Sequence, residues 1–248
     1  MIVLQKNYTK LLYPIYYLFH KNIFFGLLHK VFIKNFYYKN LKFELKVKNL
    51  PLSVRSSFLF KTYEINDRLL VERHINKNNK CIVIGGGIGF IPSLIGQLSK
   101  NPMLIFEVNQ DLKKNLIKNL KNNNCKYNLF FKNLNFQKKK KKFFYSKNKN
   151  FLASSKYLKS KEICNIDNIY YKSIRKIFKF NTLIIDAEGC EFDIIINLKK
   201  MKFIKHIIFE LHFNLLSKVQ IEKIFFIMKK NNFQLVDKFF NSFYFKKI

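Results

Sequence analysis

The 248-residue sequence predicts an α/β protein, an open and mostly parallel sheet with helices on both faces, preceded by a helical and hairpin extension. Three observations predict it. Short, mostly apolar runs recur at Cys81–Ile84, Met103–Phe106, Thr182–Ile185 and His206–Leu211, as strands covered on both faces require. Segments of helical spacing alternate with them, such as the face made by Leu112, Leu116, Ile117 and Leu120. A glycine-dense turn, Gly85 to Gly89, joins the first run to a helix.

Each element follows in order. Residues 1–40 read as helical, with Phe, Tyr and Leu among Lys. Leu41–Lys48 alternates apolar and charged residues strictly, the mark of a half-buried strand. Asn49-Leu-Pro51 turns into an expected partner strand near Leu52–Phe58, and a helix is expected at Tyr63–His74. After the glycine turn come a helix at 89–99 and the strand Met103–Phe106. Asn109 is a candidate cap for the next helix, and Tyr127–Phe131 reads as a strand. Lys138–Lys142 reads as an exposed turn leading to a short strand at Phe143–Tyr145, and Asp167–Phe178 as a helix. Following Thr182–Ile185, a helix is expected from Gly189 to Lys199. Ser217 with Gln220 three positions on is a capping-box signature for a helix to Lys230. Phe233–Phe239 and Ser242–Lys246 read as closing strands. The expected organisation is an extension over 1–60 and one α/β domain over 61–248.

Composition narrows the function. The net charge is +32, which invites a nucleic-acid or anionic-membrane partner. Yet only four of the 47 basic residues are Arg, the residue whose planar fork suits phosphate. The surplus Lys therefore reads as a solvated surface, and a nucleic-acid partner is not expected. The four cysteines lack CxxC spacing, so free thiols are expected, with no disulfide and no zinc site. The apolar runs Leu11–Phe19 and Ile23–Leu28 fall short of the ~18 residues needed to span a bilayer. They read as a helical cap on the domain, with interfacial membrane contact through residues 1–40 as the second reading. A cytoplasmic location follows, at most peripheral to the inner face of the membrane.

Four short stretches carry candidate chemistry. Gly85, Gly86, Gly87 and Gly89 follow a strand and open a helix, so the backbone can approach a ligand closely. The dinucleotide fingerprint would place its third Gly where Phe90 stands, which disfavours a nicotinamide cofactor. Glu107 ends the next strand, 22 residues after Gly85, where a carboxylate accepts hydrogen bonds from both ribose hydroxyls of an adenosine. Only 15 acids occur in the chain, yet Asp186, Glu188, Glu191 and Asp193 fall within eight residues after an apolar strand. Ligands of open α/β sheets bind at this carboxyl edge. Glu210 and His212 close the following strand on one face, and His exchanges protons near neutral pH.

From Ser56 onward these residues resemble the FkbM family of methyltransferases. The resemblance rests on Phe60-Lys-Thr-Tyr63-Glu64, on VIGGGIGF at 83–90 and on Phe106-Glu107-Val-Asn109. Phe144-Tyr145, Asn150 to Ser155, Ile185-Asp-Ala-Glu-Gly-Cys-Glu191 and Phe209-Glu-Leu-His212 extend it. It implies a class I methyltransferase, Rossmann-like sheet of seven strands with the last antiparallel. It also implies S-adenosyl-L-methionine as donor and O-methylation of a sugar, glycolipid or related small metabolite. The sequence departs from the family at Val83, where an acid is common, and at Gly87 and Ala187.

Under that resemblance the glycine loop and Glu107 hold the cofactor. Asp186, His212 and Glu188 are the catalytic candidates, with Asp186 or His212 taking the hydroxyl proton. Glu188 and Glu191 orient hydroxyls, and Glu191 and Glu210 line the substrate. No metal is expected; a divalent ion shared by Asp186, Glu210 and His212 is the weaker option. The competing functions are a nucleic-acid methyltransferase and a non-catalytic, membrane-associated adaptor with a degenerate fold.

Overall fold

The computed structural model describes residues 22–45, 50–136, 142–147, 154–155, 163–175 and 178–248. The expected helix before residue 22, the end of the strand at 46–48, most of the Lys138–Lys142 turn and residues 150–153 lie outside them. The chain divides into two units, Met1–Ile65 and Asn66–Ile248.

In the first unit, Asn22 caps α1 (Ile23–Phe32), its side chain accepting from the Phe24 N–H. Residues 35–38, expected to be helical, instead form β1 (Asn35–Tyr38), antiparallel to β2 (Leu41–Glu44). Lys39 turns the hairpin at φ +49°, and Phe36 faces Phe43, both buried. This pairing takes the partner role expected of Leu52–Phe58, which is helix α2 (Leu52–Leu59). Pro51, whose φ of −56° suits a helix start, precedes it. Gly26 of α1 lies so close to α2 that a Cβ there would overlap the Leu52 carbonyl oxygen.

The second unit opens with α3 (Ile65–His74), then β3 (Cys81–Ile84), α4 (Phe90–Ser99) and β4 (Met103–Phe106). Asn109 caps a short 3₁₀ turn at Gln110–Leu112 ahead of α5 (Lys113–Asn122), and β5 (Tyr127–Phe130) follows. Next come β6 (Asn133–Asn135), β7 (Lys142–Lys147), β8 (Ser154–Ser155), β9 (Ile163–Tyr170) and α6 (Tyr171–Ile174). Of the helix expected over Asp167–Phe178, residues 167–170 belong to strand β9 and Tyr171–Ile174 are helical as expected. Pairing of β9 with β6 and β7, 25 residues and more away, decides the outcome at residues 167–170. The remainder is β10 (Thr182–Ile185), α7 (Glu191–Ile195), β11 (His206–Glu210), α8 (Lys218–Lys230), β12 (Phe233–Phe239) and β13 (Ser242–Lys247). The Ser217–Gln220 capping box opens α8.

Seven strands form one sheet in the order β12-β13-β11-β10-β3-β4-β5. All are parallel except β13, which runs antiparallel to both neighbours. This is the class I methyltransferase topology. A second sheet, β6-β9-β7-β8, is inserted between β5 and β10. The chain leaves β3 toward β4 on one side and returns to β10 on the other, so the order reverses beside β3. Ligand crevices of open α/β sheets lie at such a reversal. Leu104, Leu183, Ile185, Ile207 and Phe209 have no exposed surface. Burying each contributes roughly 1.5–3 kcal/mol, which holds the strand ends rigidly.

Candidate active site

Strand register brings the sequence motifs to one level. Ile84 pairs with Phe106 and Ile185, and Ile185 pairs with Phe209. Gly85, Glu107, Asp186 and Glu210 each stand one residue beyond those partners, on the carboxyl edge. The ladder runs on past the strands: Gly85 N–H donates to the Phe106 carbonyl, and Asp186 N–H to that of Ile84, both at 2.9 Å.

Gly85 has φ +94°, and a Cβ there would overlap the Asp186 carbonyl oxygen, so the turn between β3 and α4 admits no side chain. Gly86 and Gly89 are buried, whereas Gly85 and Gly87 are partly exposed at the edge. Glu107 leans over this loop. Its Oε2 accepts from Gly87 N–H at 2.8 Å and its Oε1 from Asn109 N–H at 2.7 Å. Burial pushes the Glu107 carboxyl above the usual range, while the amides of Asn109, Gly87, Val108 and Gly86 draw it back. A bare glycine loop beside a fixed carboxylate suits the adenosyl half of a nucleoside cofactor.

The second cluster surrounds His212. Glu191, the first residue of α7, has no exposed surface. Its Oε1 lies 2.7 Å from His212 Nδ1 and accepts Gly189 N–H at 3.1 Å. Its Oε2 is buried with no hydrogen-bond partner. His212 Nε2 lies 3.4 Å from Glu188 Oε2 and 3.8 Å from Asp186 Oδ1. Those spacings are long for direct hydrogen bonds, so Nε2 faces both carboxylates at ion-pair range. Glu188 occupies φ +46°, costly for a residue with a side chain, between Ala187 and Gly189 at φ +92°.

Electrostatics there are strong. Burial pulls the His212 imidazole down, but the Glu191 hydrogen bond and the charges of Glu191, Glu188 and Glu210 outweigh it and raise the ring to about 9. Burial pushes the Glu188 carboxyl up, the His212 charge opposes that, and Glu210, Glu191 and Glu107 add to it. At neutral pH His212 therefore carries a proton among carboxylates.

The structure adds residues that the sequence reading missed. Asp67, on α3 and 2% exposed, accepts from Ser242 Oγ at 2.6 Å. Asn241 Nδ2 donates to Glu210 Oε1 at 2.6 Å, and Asn66 Nδ2 donates to Asn241 Oδ1 at 2.7 Å. Glu210 is thus tied into this network rather than projecting freely. Among the described residues, Asp186, Glu188 and His212 offer ligand atoms within 4.8 Å of one another, as do Asp67, Asp186 and Glu210. The grouping expected for a divalent ion, Asp186 with Glu210 and His212, is split between these two sets. Only Asp67's place on a helix with little apolar periodicity could have flagged it. Asp193 lies within α7, and the sites named above do not use it.

Fold and site together define an S-adenosylmethionine-dependent methyltransferase of class I. Residues 69–244 match the model of the methyltransferase FkbM domain, and the chain belongs to that family. No curated protein matches the chain in sequence. Among solved structures, it is similar to a ribosomal protein L11 methylase from Lactobacillus delbrueckii subsp. bulgaricus, with 15% identity and TM-score 0.45 over 73% of this chain and 77% of that one. It is also similar to M. jannaschii TYW2 in complex with AdoMet, with 14% identity and TM-score 0.39 over 86% of each chain. A precorrin-6y C5,15-methyltransferase from Geobacter metallireducens GS-15 is 10% identical, with TM-score 0.44 over 83% of this chain and 92% of that one.

Proposed function

We propose that this enzyme methylates a hydroxyl oxygen of a sugar, glycolipid or related small metabolite, with His212 as the general base. The observation that carries the reading is the Glu191–His212 pair at 2.7 Å, with Nε2 turned toward Asp186 and Glu188 at the carboxyl edge. A buried carboxylate on Nδ1 fixes the tautomer in which Nε2 accepts a proton. Bound S-adenosylmethionine supplies an electrophilic methyl group on a sulfonium, held by the Gly85–Gly89 loop and Glu107.

His212 Nε2 takes the hydroxyl proton as the oxygen attacks. Asp186 and Glu188, each about a third exposed, accept hydrogen bonds from the acceptor's neighbouring hydroxyls. Glu191 was expected to touch substrate; with no exposed surface it acts through His212 instead. Glu210, tied to Asn241, shapes the far wall. This density of carboxylates suits a neutral polyol and repels a phosphate backbone, which weighs against nucleic acid as acceptor.

The test is transfer of labelled methyl to cell-envelope glycan and glycolipid fractions. A base-stable methyl ether is expected. His212→Gln should lower turnover by about 10²–10⁴-fold with cofactor affinity kept. Wild-type turnover in His212→Gln would remove His212 as base, and label recovered in RNA would overturn the acceptor class.

A further inference from the structure

We propose that α1 docks the protein on an anionic lipid bilayer. The helix is apolar on two sides. Its inward side is fixed: Gly26 abuts the Leu52 backbone, and His29, 1% exposed, lies against Phe58. That contact locks the rotation of α1 about its axis. The opposite side carries Ile23, Phe24, Leu27, Leu28, Val31 and Phe32, exposed by 37–76%. At about 100° per residue these six fill half the circumference, centred opposite Gly26 and His29. A contiguous apolar face of this kind on an exposed helix calls for an occupant.

Charge selects that occupant. Met1–Ile65 holds eleven Lys and Arg against two acids, Glu44 and Glu64. Lys30 lies at the margin of the apolar half-circle and Lys34 just beyond its end, both exposed. Phe and Leu over a lysine margin match an interfacial helix, which sinks its apolar face to the headgroup boundary while the ammonium groups meet anionic headgroups. A second copy would bring the same excess of positive charge and be repelled. Among the described residues no helix is long and apolar enough to cross a membrane. The inference does not depend on the identity of the methyl acceptor.

The test is co-sedimentation of the full chain with phosphatidylcholine vesicles, with and without phosphatidylglycerol. Wild type should sediment with the mixed vesicles, weakly with phosphatidylcholine alone, and less as salt rises. Phe24→Asp combined with Phe32→Asp should lower the partition constant at least about tenfold. Its thermal midpoint and S-adenosylmethionine affinity should stay unchanged, because both rings are exposed. Phe24→Ser with Phe32→Ser should show the same loss without added negative charge. Wild type that stays in the supernatant with both vesicle types overturns the proposal, as does a double variant that sediments like wild type. A wild-type dimer that the variant splits, with neither binding vesicles, would assign the face to a second copy instead.

Discussion

Replacing Glu191 by Gln isolates the group that holds the His212 proton. In the wild type the ring titrates at about 9: burial opposes the charge, and the Glu191 hydrogen bond leads the influences that outweigh it. Gln is nearly the same size. Gly189 N–H and His212 both address Oε1, so the amide oxygen stays there and the tautomer is kept. What is lost is one negative charge at 2.7 Å. Burial still acts, and only the more distant Glu188 and Glu210 oppose it. The ring should fall by roughly two units, or about 3 kcal/mol.

The consequence for rate changes sign with pH. Near pH 7 the neutral fraction of His212 rises from about 1% to about half, while a base weaker by two units transfers protons roughly tenfold more slowly at a Brønsted slope of about one-half. The variant should then be about fivefold faster at pH 7 and about tenfold slower above pH 10. The assay pairs an NMR titration of the imidazole C–H, identified by its loss in His212→Gln, with kcat/KM against pH. If His212 in the variant still titrates near 9, Glu191 is not what retains the proton. If the two rate profiles run parallel without crossing, His212 is not the base.

Three further outcomes are expected. Glu107→Ala should weaken S-adenosylmethionine binding by roughly 10–100-fold in calorimetry, the worth of losing hydrogen bonds to one charged acceptor, and equal affinity would remove Glu107 from the cofactor site. Gly85→Ala should cost more than about 2 kcal/mol and lower the thermal midpoint by several degrees, because it meets rigid backbone at φ +94°. Gly86→Ala, which meets the movable ends of Ile105 and Leu116 at 2.9 and 3.0 Å, should cost less, and the reverse ranking would refute the geometry of the turn. The His212 value of about 9 lies above the ordinary 6.5, so its stabilisation is complete below about 6.5 and is lost as pH rises through 9. The unfolding free energy of the ligand-free protein, from denaturant titration, should fall across that window by up to about 3 kcal/mol, and His212→Gln should flatten the fall.

Where structure is set by local pattern, the sequence is readable. The central strands are short apolar runs because both their faces are covered, and the Ser217–Gln220 box marks its helix start within four residues. The glycine turn and the acids after β10 are contiguous, so their shared level follows once the strands are placed. Where a partner lies far along the chain, local pattern misleads. Residues 167–170 pass for the start of a helix until β6 and β7 pair with β9. A nearer partner can mislead as well: β1, two residues before β2, takes the place expected of Leu52–Phe58. Asp67 comes beside Asp186 and Glu210 only in the folded chain, and the weak apolar periodicity of its own helix is the one local mark of it. The roles of Glu188 and Glu191 were likewise closed to spacing alone. Three residues apart, one stands at φ +46° facing His212 Nε2 and the other is buried against Nδ1 and Gly189 N–H.

The placement of the acids has a chemical logic. In a chain of +32, five of only fifteen acids, Asp67, Asp186, Glu188, Glu191 and Glu210, gather at one sheet edge, and Glu107 is near enough to act on Glu188. Transfer of a methyl group from a sulfonium to a neutral hydroxyl conserves one positive charge, carried at the start by the donor and at the end by the protonated base. An edge lined with carboxylates stabilises that charge at both ends of its path. A single fixed counter-ion would favour one end and raise the barrier to the other. On the proposed mechanism Glu191 and Glu188 set against His212 deepen the final position, and proton capture becomes favourable as the C–O bond forms, because the oxygen that gains the methyl group becomes far more acidic than an imidazolium. The same depth means that His212 must shed its proton before the next turnover. If His212 is the base, that requirement ties the ascending, low-pH limb of the rate to the carboxylate beneath the ring rather than to the acceptor.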